Sequence, residues 1–231
     1  MVEEGFHAFR QGRNADAQEL FERARGSGDP QLEAQALGGL ARVALRAGDT
    51  QRTRDLALQA LGLAEDEAGQ WSPRHLLAAA ARADGDYERA EELYGETLAL
   101  ARRLELRLHE AVELLNLGYV ALHRGDKKLA IDRFHQSLEI GAELNDDYLL
   151  PYCLLGAASS ALLRGDREEA ARLLAATTSA FDRAGAAIDP GSAEEYEETY
   201  AHVIGLEAEW AEGSRLSLDE AVARARRARP A

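Results

Sequence analysis

The stretch Leu114 to Phe134, LLNLGYVALHRGDKKLAIDRF, decides the fold. It reads as a helix, a Gly125-Asp126 corner and a second helix, because apolar residues recur at helical spacing on both sides of the corner. Glycine without a Cβ can end the first helix in the left-handed conformation, and the following Asp can cap the next one. The corner returns as Gly48-Asp49, Gly85-Asp86 and Gly165-Asp166, with a weaker Gly12-Arg13 ahead of them, at spacings of 36 to 40 residues. A fixed period of this length is that of a stacked helical hairpin.

Composition agrees. Of 231 residues, 46% are apolar and only 6% aromatic, so the core is built mainly from Ala and Leu, and runs with the period of a strand are scarce. The net charge of −14 argues against direct nucleic-acid binding and against an anionic membrane surface. No stretch approaches the ~18 apolar residues of a membrane span, and MVEEGFHAFR is no signal peptide. Cys153 stands alone and permits no internal disulfide. Together these features give a cytoplasmic expectation.

In chain order, hairpins are expected over 3–26, 31–63, 71–104, 107–144 and 147–184. Pro30, Pro73, Pro151 and Pro190 fall at or near hairpin starts, where a missing N–H costs little. GAAIDPG at 185–191 is a turn-rich break. A longer helix near 192–211 and a last one from about 217 follow, forming a C-terminal cap over 192–229. Glu169 and Glu220 stand three residues after the caps Asp166 and Ser217, in capping-box position. The whole chain, 1–231, reads as a single solenoid domain.

Small and large residues recur five and nine places after the corner glycines: Ala17 and Phe21, Ala90 and Tyr94, Ala130 and Phe134, Ala170 and Leu174. With Leu117-Gly118 before the corner, this pattern resembles the tetratricopeptide repeat (TPR). The second hairpin departs, with Thr53 and Ala57, so its packing is expected to be looser or differently filled. The resemblance implies an all-α, TPR-like right-handed α-solenoid of about five hairpins with a capping helix pair. A narrower likeness lies in WAEGSRLSLDEAVARA, with Trp210, Gly213, Leu216, Ser217 and Glu220. It resembles the C-terminal TPR region of LuxR-type and SARP-type bacterial ATPase regulators, which implies a sensory or interaction arm. The chain has no GxxxxGK[ST] loop and no recognisable DNA-reading helix pair, so it is either a fragment of such a regulator or a free-standing relative.

In TPR hairpins the first helices line the concave face. Carried onto this sequence, the resemblance places Arg42, Arg46, His75 and Arg82 in the first half of the groove and Tyr119, His123 and Tyr152 in the second. Arginine forks suit carboxylates or phosphates. One reading is that the groove takes an extended peptide or helix with an acidic end. The other is that these arginines pair with acids of neighbouring helices.

Catalytic chemistry is not indicated. The six histidines form no H-x-x-x-H pair, no Gly-x-Ser-x-Gly elbow is present, and no cofactor or metal pattern emerges. Acidic clusters such as Glu194-Glu195 with Glu197-Glu198 read as solvated helix faces. The tail arginines Arg224, Arg226, Arg227 and Arg229 read as complements to a helix C-terminus rather than a nucleic-acid patch. The expected function is a non-enzymatic protein- or peptide-interaction module. The alternative is a small-molecule or signal-peptide sensor. Exposed Phe6 and Phe9 on a shortened first helix would also allow a homo-oligomer.

Overall fold

The computed structural model describes residues 1–227, so Arg229 lies outside the described residues. Among the described residues there are helices and no strands. Two compact units are formed, Met1–Leu104 with Ala186–Gly191, and Glu105–Gly185 with Ser192 onward.

The first unit holds α1 (Val2–Arg10), α2 (Asn14–Arg25), α3 (Pro30–Arg46), α4 (Thr50–Leu63), α5 (Glu67–Ala83) and α6 (Tyr87–Arg103). The odd helices pack on one another, α1 on α3 and α3 on α5, while α2 and α4 pack against both sequence neighbours and α6 against α5. The second unit holds α7 (Arg107–His123), α8 (Lys127–Leu144), α9 (Leu150–Leu163), α10 (Arg167–Ala184), α11 (Pro190–Val203) from Ser192 onward, α12 (Glu207–Gly213) and α13 (Leu218–Arg227). There α7 packs on α8 and α9, α12 on α10, and α13 across α8, α9 and α10.

The corners fold as their chemistry dictates. Gly48, Gly85, Gly125 and Gly165 have φ between 76° and 83°. Each following Asp donates its N–H to the carbonyl five residues back, as Asp126 does to Ala121. Its carboxylate then accepts from the next helix: Asp49 from Arg52 N at 2.9 Å, Asp126 from Leu129 N at 3.0 Å.

The large residue nine places after the corner is a wedge. Phe134 is 1% exposed, and a Cβ on Gly118 of α7 or Gly156 of α9 would come within 2.5 Å or 2.9 Å of its ring. Phe21 sits the same way against Gly5 of α1 and Gly39 of α3. The glycines let adjacent first helices share one ring. In the second hairpin the wedge is replaced by fully buried Ala57, and the Thr53 hydroxyl lies 3.3 Å from the Ala41 carbonyl and 2.8 Å from that of Asp49.

Four expectations are corrected. Pro73 lies inside α5, not at its start, because Asp66 accepts from Gly69 N at 2.7 Å and begins the helix at Glu67. The long helix expected near 192–211 is two helices, broken where Gly205 takes φ 90°. This is a further corner, 40 residues after Gly165, without the Asp that marks the others. Phe9 is 5% exposed and covered by the Arg46 guanidinium 3.7 Å from the ring centroid, while Phe6 is half-buried and edge-on to Phe21. Glu169 does not close a capping box; Arg224 Nε approaches both of its carboxylate oxygens, at 2.8 and 2.7 Å. The Ser217 box does close, with Ser217 N donating to Glu220 at 2.8 Å, and these hydrogen bonds hold the Glu220 carboxyl below its usual range.

Two of the tail arginines, Arg224 and Arg226, are bound by acids of their own unit. Arg224 pairs with Glu169, and Arg226 with Glu139 at 2.6 Å. Cys153 is buried, and desolvation pushes its thiol up to about 12, which keeps it protonated and unreactive.

Candidate functional site

In the first unit the relevant side chains come from the last turns of the odd helices. Arg46 is the last residue of α3 and Arg82 lies in the last turn of α5, where positive charge complements the helix dipole. Neither faces open solvent. The Arg46 side chain is 10% exposed, and its guanidinium donates to Phe9 O at 2.7 Å, Asn14 Oδ1 at 3.0 Å and Asp189 Oδ1 at 2.8 Å. Arg82 is 8% exposed and donates to the carbonyl of Gly191.

Both arginines thus hold one segment, Ala186–Gly191, whose last two residues begin α11. A third anchor comes from α1, whose last residue, Arg10, accepts from Ala187 N at 2.8 Å. Arg10, Arg46 and Arg82 are 36 residues apart, one per hairpin, and they meet Ala187, Asp189 and Gly191 in that order. Arg42, a turn earlier on α3, is half-buried and donates to Ser72 Oγ at 3.2 Å. His75 stacks on Trp71 at 4.9 Å, with Tyr94 5.8 Å away.

In the second unit, His123 ends α7 and its Nε2 lies 3.6 Å from Glu195 of α11, whose side chain is 4% exposed. Thr199, one turn on, faces Ser159 Oγ of α9 at 3.2 Å. Tyr196 meets Thr178 of α10 at 2.8 Å, and burial pushes its phenol up. Tyr119 is 1% exposed with its ring edge-on to Phe134. Tyr152 packs edge-on to Phe181 and Tyr148. Of the seven nominated residues, Arg46 and Arg82 converge on one segment, Arg42 stands near them in the same helix row, and His123 meets α11. His75, Tyr119 and Tyr152 are packed among other rings.

Asp189, Gly191, Glu195 and Thr199 were not nominated from sequence. The acidic run 194–198 is not wholly a solvated face: Glu195 and Thr199 are buried at i, i+4 spacing, while Glu194, Glu197 and Glu198 are exposed. That spacing is the signal that could have separated Glu195 from its neighbours.

The tetratricopeptide repeat family matches residues 72–143. That segment is similar to a tetratricopeptide repeat array. The Photosystem I assembly protein Ycf3 of Acaryochloris marina is 38% identical over 65 residues, which are 28% of this chain and 37% of Ycf3, so the match spans little more than a third of that relative. Among solved structures, the TPR-like repeats of a Podosopora anserina kinesin light chain superpose with a TM-score of 0.53 at 20% identity, covering 82% of this chain and 100% of theirs. A Rap protein complexed with Competence and Sporulation Factor gives 0.59 at 17% identity, covering 91% and 74%. At these identities the likeness is one of fold: a TPR-like α-solenoid.

Proposed function

We propose that the chain is a non-catalytic TPR interaction module whose first-unit surface, at Arg42, Arg46 and Arg82, binds an extended acidic segment of a partner protein. One observation carries this reading. In a chain of net charge −14, two arginines from successive hairpins converge on a carboxylate and a backbone carbonyl of a peptide segment. A guanidinium fork suits such a target, and one contact per repeat is how a solenoid reads an extended ligand. The Rap protein of similar fold is complexed with Competence and Sporulation Factor, which supports a ligand-binding role for this architecture. The WAEGSRLSLDEAV ending supports placing the module in a cytoplasmic bacterial regulator, as its sensory arm. His123 is assigned to a second contact point in its own unit, beside Glu195. His75, Tyr119 and Tyr152 support the helices that carry these groups.

The test is fluorescence anisotropy with a labelled peptide GAAIDPGS, the sequence of residues 185–192. Changing Arg42 and Arg82 together to Ala should weaken binding about tenfold or more, with folding checked by circular dichroism. Unchanged affinity in the folded double variant sinks the assignment.

A further inference from the structure

We infer that Ala186–Gly191 is a tethered stand-in for the external ligand, and that the first-unit surface becomes available only when this segment leaves it. The inference rests on the proposed binding of an acidic peptide there and adds its regulation.

The anchors describe what such a ligand must offer. Ala187 gives a backbone N–H to the Arg10 carbonyl, Asp189 a carboxylate to Arg46, and Gly191 a backbone carbonyl to Arg82. These are alternate residues, and each is met by a different hairpin. Two of the three anchors are main-chain groups, but a Cβ at Gly191 would come within 2.8 Å of the Arg82 guanidinium, so the demands are an acid in the middle position and a small residue at the last. The Asp189 side chain is 34% exposed against 10% for its partner Arg46. The contact can therefore open from the Asp189 side without disturbing Arg46 on Phe9 and Asn14.

A segment on the same chain competes with the advantage of a high effective concentration. An external peptide of equal chemistry binds with an apparent affinity reduced by the fraction of molecules in which the site is open. The physiological partner is then a protein segment carrying an Asp or Glu side chain, with main-chain groups free two residues to either side, that outcompetes Asp189.

The experiment titrates the labelled GAAIDPGS peptide into the full wild-type chain and into Asp189→Ala and Asp189→Lys. Loss of one charge-assisted anchor should raise peptide affinity about fivefold in Asp189→Ala, and the repulsive lysine should raise it further. The same peptide with Ala in place of its Asp should bind the opened variants at least fivefold more weakly. Equal affinity for wild type and both Asp189 variants, abolished by Arg42→Ala with Arg82→Ala, overturns the tether while leaving the binding surface standing. No binding to any of the folded proteins overturns both.

Discussion

Phe134→Ala is expected to lower the stability of the second unit by about 3–5 kcal/mol, the range for truncating a buried aromatic ring. The ring is 1% exposed, lies edge-on to Tyr119 at 4.9 Å and fills the space above two glycines. Neither Gly118 nor Gly156 has a side chain that could turn into the vacancy, so collapse requires the backbones of α7 and α9 to move together. The cavity cost should therefore fall near the upper part of the range. Denaturant unfolding followed by circular dichroism measures it, and the melting temperature should drop by roughly 6–20 °C. A loss below about 1 kcal/mol would show that the ring is not the wedge described.

Gly213→Ala should be almost as damaging, for the opposite reason. A Cβ there would fall well inside contact distance of the Arg172 carbonyl and of the backbone carbon behind it. The obstacle is the main chain of α10, which cannot rotate aside as a side chain can. Helix α12 must shift bodily, loosening the Arg172–Glu212 ion pair at 2.6 Å and the edge-on contact of Trp210 with Tyr200. Overpacking of this kind costs about 3 kcal/mol. Trp210 emission and hydrogen exchange across Glu207–Gly213 should both report it. Gly95→Ala is the control: nothing lies within 4 Å of its added Cβ, and a helical Gly→Ala change there should stabilise by up to about 1 kcal/mol. Equal stabilities for the two variants would refute the close approach of α12 to α10.

The repeat was legible because its signals are local. A Gly-Asp pair terminates one helix and caps the next within a few residues, and the small and large positions sit at fixed offsets from it. The corner at Gly205 lacks that signal because Leu206 takes the place of the capping Asp, and only its 40-residue spacing from Gly165 marks it. The candidate site was half legible. Arg46 and Arg82 could be nominated from the repeat register, but their partners Asp189 and Gly191 lie 143 and 109 residues away in sequence. Nothing in the composition of GAAIDPG distinguishes a held segment from a plain turn. The repeat register alone does not show that the Tyr119 and Tyr152 rings lie edge-on to Phe134 and Phe181.

The shared rings also govern how the array comes apart. Phe21 belongs to one hairpin but touches glycines of two, so its burial contributes to the coupling between neighbours, and in a linear array such coupling is what makes adjacent repeats melt as one. The second hairpin has Ala57 where Phe21 and Phe134 have rings, and a methyl carries far less of that coupling. Within the first unit, cooperativity is therefore weakest around α4, which makes this helix the natural site of sub-global opening.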